Sequence, residues 1–268
     1  MLWNARNREL KLGRSWMSYA RFGRGNRHLI LLPGLSDGLA TVRGKALLLA
    51  APYRPFLDDF TIWMFSRKDD MPEGCTIRDM ARDQALAMDL LGIRKASVMG
   101  VSQGGMIAQY LAADYGSRVD RLVLAVTAPA VNDTIRENVR FWMDLAERGD
   151  HRALMIDTAE KSYSEAYLKK VRLLYPVIGF VGRPRDYGRF QANARAILSF
   201  DASEALERIA CPTLIIGGGR DRTVGPEAAR LLHERIPGSR LYIYPDLGHA
   251  AYEEAKDFNR RVFDFLAE

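Results

Sequence analysis

Residues 96–105 read Ala96-Ser97-Val98-Met99-Gly100-Val101-Ser102-Gln103-Gly104-Gly105. Ser97, Val98 and Met99 make a short, mostly apolar run of the kind a sheet buries. Met106, Ile107, Ala108, Leu111 and Ala112 then follow at helical spacing. Between the two runs, Gly100-Val101-Ser102-Gln103-Gly104 is a G-x-S-x-G pattern. The spacing predicts a strand that turns sharply into a helix, with Ser102 on the corner. Gly100 and Gly104 have a steric task there, because side chains two positions either side of the serine would fill the corner. The corner exposes the Ser102 hydroxyl beside the first N–H groups of the new helix, which favour negative charge. Glycine and serine are common in turns, so the pattern alone also fits a βα turn carrying a surface serine. The strand before it, the helix after it and the partners described below favour a nucleophile.

The 268 residues suffice for one large domain with a sizeable core, and the 48% apolar content excludes a disordered chain. No apolar run approaches the ~18 residues of a membrane span, and the first residues, Met1-Leu2-Trp3-Asn4-Ala5-Arg6, lack the apolar region of a signal peptide. The two cysteines, Cys75 and Cys211, have no metal-like spacing. A cytoplasmic, reduced protein without metal or cofactor is expected. The formal net charge is +6, yet the basic residues are scattered among acids. No basic block or aromatic-basic interleaving marks a nucleic-acid site. The expected partner is a small-molecule substrate, with neither nucleic acid nor membrane.

Along the chain, residues 8–12 and 16–22 read as strands joined at Gly13-Arg14. The run His28-Leu29-Ile30-Leu31-Leu32 reads as a strand buried on both faces, ending in Pro33-Gly34-Leu35-Ser36-Asp37-Gly38. A leucine- and alanine-rich stretch reaching about residue 51 reads as a helix, and residues 60–65 as a strand. Thr76-Ile77-Arg78-Asp79 fits a helix start, and Gly92 its end. Residues 121–127, 212–216 and 240–244 are further strands, with helices over 226–236 and 252–266. Alternating strands and helices call for a parallel sheet covered on both faces. Residues 131–198 break the alternation: helical periodicity without a strand, with a capping box at Thr134 and Glu137, a cap at Ser164 and an interruption at Pro176. This reads as a helical insertion over the sheet's edge, dividing a core of 1–130 and 199–268.

A serine hydroxyl is a weak nucleophile until a base takes its proton. Of the four histidines, His28 opens a buried strand, His151 lies in the insertion and His233 on a surface helix. His249 lies just past the carboxyl end of a strand, behind Gly248. In a parallel sheet that is the rim where Ser102 sits and where sites gather. His249 is therefore the expected base. An acid must hold its tautomer, and Asp221, beyond another strand on the same rim, is the choice over Asp246 and Asp133. Two aimed N–H groups must meet the developing oxyanion. Gln103, next after the nucleophile, supplies one; Leu35, in the loop after residues 28–32, is chosen for the other.

At this point the chain resembles the α/β-hydrolase superfamily over nearly its whole length. The matching pieces are Leu31-Leu32-Pro33-Gly34, Gly100-Val101-Ser102-Gln103-Gly104, Pro212-Thr213-Leu214-Ile215-Ile216 running to Asp221, and Leu247-Gly248-His249. The resemblance implies an α/β fold with an eight-stranded, mostly parallel sheet and a helical cap inserted after the sixth strand. Pro33 stands where many relatives have histidine.

The expected activity is a serine hydrolase acting on a carboxylic ester, thioester or lactone. Relatives that cleave halides or epoxides use aspartate at the nucleophile position, and Ser102 argues against both. Carbon–carbon bond hydrolysis and perhydrolysis use the same triad and stay open, as does a ligand receptor with little turnover. The insertion offers Trp142, Tyr163, Tyr175, Phe180 and Phe190 either as pocket lining or as packing.

Overall fold

The computed structural model describes residues 2–268. Its strands are β1 (Arg6–Leu12), β2 (Ser15–Gly23), β3 (Arg27–Leu32), β4 (Phe60–Lys68), β5 (Ala96–Val101), β6 (Val119–Ala125), β7 (Thr213–Gly218) and β8 (Arg240–Tyr244). They form one eight-stranded sheet in the order β1-β2-β4-β3-β5-β6-β7-β8. β2 runs antiparallel to both β1 and β4, and every later pairing is parallel. Parallel neighbours need crossovers, and helices supply them. The helices are α1 (Ala46–Ala50), α2 (Ile77–Leu90), α3 (Gln103–Asp114), α4 (Asp133–Glu147), α5 (His151–Ser162), α6 (Glu165–Val171), α7 (Gly188–Leu198), α8 (Ala228–Arg235), α9 (Ala251–Glu254) and α10 (Phe258–Ala267).

The strands sort their side chains by the two-residue period of a pleated sheet. Leu29 and Leu31 of β3 join a core with Met99, Val123, Ile216 and the α10 residues Phe258, Val262 and Phe265. Ile30 and Leu32 point the other way, into a core with Val98, Leu124, Ile215, α2, α3 and α8. That second core continues without a break into Ile135, Val139 and Trp142 of α4 and Phe190 and Ile197 of α7. Burial on both faces is what the unbroken apolar runs of β3 to β7 require.

Local expectations are corrected in three places. The leucine- and alanine-rich stretch after β3 is helical only over Ala46–Ala50, between short 3-10 turns at Leu35–Gly38 and Ala51–Phe56. Leu47 and Leu48 are exposed, so composition there does not report a buried face. Helix α4 is capped by the Asn132 side chain, which accepts from the Ile135 N–H, and the Thr134–Glu137 box does not form. The last helix is two, α9 and α10, separated around Ala255. The capping box at Thr76 and Asp79 is present on α2. Between β6 and β7, residues 131–198 hold α4 to α7 and no sheet strand.

Candidate active site

Ser102 sits between β5 and α3 at φ 53° and ψ −120°. A non-glycine residue there stores backbone strain of roughly 1–3 kcal/mol, which persists only where the surroundings enforce it. They do. A Cβ on Gly104 would lie 1.9 Å from the Leu32 carbonyl oxygen, and one on Gly100 would lie 2.3 Å from the Gly104 oxygen. The Thr127 hydroxyl donates to the Ser102 carbonyl at 2.8 Å, and the Ser102 N–H donates to the Ala125 carbonyl at 2.9 Å. Val126, beside Thr127, is also at positive φ, 46°. The Ser102 backbone is thus pinned from β6.

Asp221 follows β7 and His249 follows β8, so both lie at the rim where β5 delivers Ser102. His249 Nδ1 is 2.8 Å from Asp221 Oδ2. The other carboxylate oxygen, Oδ1, accepts from the Thr223 and Val224 N–H groups at 2.8 and 2.9 Å. Asp221 and His249 are 2% and 7% exposed, so water does not screen their contact. The Ala250 N–H donates to the Ser162 carbonyl at 2.9 Å, which ties the histidine loop to the end of α5. Among the described residues no hydrogen bond joins Ser102 to His249; such contacts often tighten only with substrate bound.

The rival acids are elsewhere. Asp246 is exposed and paired with Arg220 at 2.6 Å, and Asp133 is exposed at the start of α4. His28 Nδ1 accepts from the Trp63 indole at 3.2 Å, His151 Nε2 meets the Val181 carbonyl at 2.8 Å, and His233 Nδ1 meets the Ser239 hydroxyl at 2.8 Å. Gln103 opens α3, fully buried. Leu35 opens the 3-10 turn after β3, next to Gly34, where a Cβ would lie 3.4 Å from Ser102 Cβ. Both chosen N–H bearers therefore come from segments packed against the serine.

A family profile described as the alpha/beta hydrolase fold matches residues 27–256. The chain belongs to the alpha/beta hydrolase family. Over 270 residues this hydrolase is 29% identical to 2-hydroxy-6-oxononadienedioate/2-hydroxy-6-oxononatrienedioate hydrolase 2 of Pseudomonas putida, covering 93% of this chain and 91% of the other. It is 27% identical over 262 residues to serine hydrolase BPHL of Homo sapiens, covering 93% of this chain and 82% of the other. Among solved structures, the enol-lactonase from Burkholderia xenovorans LB400 superposes with a TM-score of 0.81 at 23% identity, over 97% of this chain and all of the other. That last likeness concerns the fold. The hydrolase is an enzyme, and the receptor alternative is not kept.

A cavity of about 260 Å³ lies against the loop after β3, lined mainly by apolar side chains including Leu39, Val42, Leu49, Met64 and Met155, with Lys45 at its wall. Neither the candidate residues Ser102, Asp221, His249, Leu35 and Gln103 nor the aromatic side chains of 131–198 line it. Trp142 is buried and donates to Asp157, Tyr175 donates to Glu160, Phe190 packs on Gly38, and Phe180 is exposed. A wider groove of about 820 Å³ along α2 and α3 also holds none of the candidate residues, and in it Arg78 and Arg208 both pair with Asp114.

Sequence reasoning missed a buried charged group in this hydrolase: Arg67 at the end of β4, Asp37 in the loop after β3 and Arg189 on α7. Burial lowers the Arg67 guanidinium to about 10, against the pull of Asp37. These residues are far apart in the chain, and no spacing rule connects them. The one signal is that β4 runs past the apolar stretch, burying Ser66 and Arg67.

Proposed function

We propose that this hydrolase cleaves a carboxylic ester, thioester or lactone of a small to medium substrate through Ser102, His249 and Asp221. The buried Asp221–His249 contact, at the rim that carries a strained serine, is the observation behind this reading. His249 Nε2 takes the Ser102 proton as Oγ attacks the carbonyl carbon. The Leu35 and Gln103 N–H groups receive the oxyanion of the tetrahedral intermediate. Its collapse breaks the bond to the leaving group, which takes the proton from His249. Water, deprotonated by His249, then attacks the acyl-enzyme carbonyl; the second tetrahedral intermediate collapses by breaking its bond to Ser102 Oγ, which takes the proton back from His249 as the acid leaves. Asp221 fixes the imidazole tautomer and stabilises its charged form. No metal or cofactor enters these steps.

Residues 131–198 act as a helical lid over this rim, and 1–130 with 199–268 form the core. The contacts of Ser162 with Ala250 and of α7 with the loop after β3 support that division. The cavity beside Leu39 and Met155 adjoins the loop that carries Leu35 but is not lined by Ser102 or His249, so it suits only a remote apolar part of the acyl or alcohol group. A second reading, carbon–carbon hydrolysis of a ketone by the same residues, is favoured by the similarity to the Pseudomonas putida 2-hydroxy-6-oxononadienedioate hydrolase.

A panel of short-chain aryl esters, acyl thioesters, lactones and a 2-hydroxy-6-oxo-dienoate, run with the native enzyme and Ser102→Ala, separates the two. Ester, thioester or lactone turnover that disappears in Ser102→Ala is expected. Turnover confined to the dienoate moves the assignment to carbon–carbon cleavage. Turnover that survives in Ser102→Ala rejects both.

A further inference from the structure

Arg67 is the penultimate residue of β4 and is 2% exposed. Its guanidinium spans two segments. Nη2 donates to the Gln103 side-chain oxygen at 2.8 Å, and Nη1 lies 3.6 Å from Asp37 Oδ2. The Arg67 backbone N–H donates to that same oxygen at 3.0 Å. Gln103 bears one proposed oxyanion donor, and Asp37 is two residues past Leu35, which bears the other. One side chain therefore bridges the two loops whose N–H groups must converge on one point.

Helix α7 closes the bridge from the other side. Arg189 Nη2 donates to Asp37 Oδ2 and to the Arg67 carbonyl, both at 2.8 Å, and Nη1 donates to the Asp37 carbonyl. The Gln103 side-chain amide donates to the Asn193 carbonyl at 2.9 Å. The Phe190 backbone meets Gly38 so closely that a Cβ there would lie 3.0 Å from Phe190 Cα.

Stability does not account for the group. Two guanidinium ions face one carboxylate, and Arg67 Nε, Asp37 Oδ1, Arg189 Nε and Asn193 Oδ1 are buried without a protein partner among the described residues. Each such atom costs free energy, and apolar side chains of similar volume commonly stabilise a fold as well as a buried ion pair does. What a fixed, planar fork adds is geometry. Oxyanion donors must be held within about 0.5 Å of their working positions.

We infer that Arg67 is a positioning residue that sets the separation of the Leu35 and Gln103 N–H donors, with Arg189 of α7 locking that setting. This rests on the serine-hydrolase reading above. Arg67 acts through Gln103 and Asp37, and neither Ser102 nor His249 is among its hydrogen-bond partners. Its effect falls on the transition state, where the oxyanion exists, and leaves ground-state binding alone.

The test compares Arg67→Met, Arg67→Lys and the double variant Asp37→Leu/Arg67→Met, using the ester that the native enzyme turns over. Arg67→Met should lower kcat by about 10- to 100-fold with KM within about twofold, and weaken inhibition by a trifluoromethyl ketone by the same factor. The double variant also strips the Arg189 guanidinium and the backbone N–H of residue 67 of their carboxylate, so its Tm should fall below that of Arg67→Met while its kcat stays within about twofold of that variant's. Arg67→Lys keeps the charge without the fork and should raise Tm above that of Arg67→Met without restoring kcat. Native kcat in the double variant, or kcat that follows Tm across the three, overturns the inference. Ser102→Ala separates the two failures. If it is inactive while Arg67→Met turns over normally, only this inference falls; if it stays active, the serine reading falls too.

Discussion

Asp221 and His249 meet at 2.8 Å below the surface, while Asp246, three residues from His249 in sequence, turns outward to Arg220. Closeness along the chain and closeness in space are opposed here. The Asp221 carboxylate is held by two backbone N–H groups on one oxygen and the imidazole on the other. Asp221→Asn keeps the shape but offers an amide that can favour the wrong histidine tautomer. In serine proteases the equivalent exchange lowers turnover about ten-thousandfold. A loss of at least about a hundredfold in kcat is expected here, with KM little changed. Asp246→Asn removes an exposed ion pair and should leave kcat within about twofold. Steady-state kinetics of the two variants decide it: a dead Asp246→Asn beside an active Asp221→Asn sinks the acid assignment.

Ser102 gives a covalent test. A fluorophosphonate probe should label this residue, and Ser102→Ala should abolish labelling while the protein still melts cooperatively. The side chain makes no hydrogen bond among the described residues, and alanine at φ 53° is no worse strained than serine. Peptide mapping after labelling reads the site. Modification at Ser36 or Ser97 instead would reject Ser102 as nucleophile.

The sheet was legible because its central strands carry short apolar runs, such as residues 29–32 and 214–216, that end at glycine or proline. The serine corner was legible for a related reason: Gly100 and Gly104 are where backbone approaches backbone, and glycine in that register has few other uses. The His249–Asp221 contact followed from strand ends, since a parallel sheet brings its carboxyl ends to one rim. The group around Arg67 was not legible. Arg67, Asp37 and Arg189 look like three of many scattered charges until β4, the loop after β3 and α7 are folded together. The stretch after β3 misled because its leucines suggest a helix face, yet Leu47 and Leu48 face solvent.

Glu160 gives a pH test of the helices between β6 and β7. Arg172 donates to both its oxygens, at 2.9 and 2.8 Å, and the Tyr175 hydroxyl adds a third bond at 2.7 Å. The Arg172 hydrogen bonds come first in holding this carboxyl at about 2, below the ordinary 4.5. A depressed carboxylate stabilises the fold above its unfolded pKa and loses that contribution as pH falls towards its folded one. The affected window runs from about 4.5 down to about 2. Glu160 is a third exposed, so solvent screens the pair and the effect is modest. Melting temperatures at pH 5 and pH 3 should fall less steeply in Glu160→Gln than in the native enzyme. Equal slopes would mean that the Arg172 pair contributes nothing to the folded state in this window.

Gly34 and Gly104 both approach the serine corner, and they should fail differently when given a methyl group. At Gly104 the new carbon would lie 1.9 Å from the Leu32 carbonyl oxygen and 2.7 Å from that of Pro33, both rigid backbone. No rotamer change relieves such overlaps, so β3 and α3 would have to separate. Gly104→Ala should therefore yield little folded protein. At Gly34 the backbone has φ −70° and ψ −166°, which alanine adopts without strain. The new carbon would meet Ser102 Cβ at 3.4 Å and Oγ at 3.9 Å, ordinary van der Waals contact. Gly34→Ala should fold with Tm close to native. If a carbonyl must enter beside Ser102 Oγ to reach the Leu35 and Gln103 donors, that methyl group stands in its path. A reacting atom displaced by about 1 Å typically costs about a hundredfold, so kcat/KM should drop by about 10- to 100-fold. Circular dichroism melts paired with ester kinetics separate the two cases. A well-folded Gly34→Ala with native kcat/KM would mean that the substrate reaches Ser102 from another side, and that Leu35 is not the second donor.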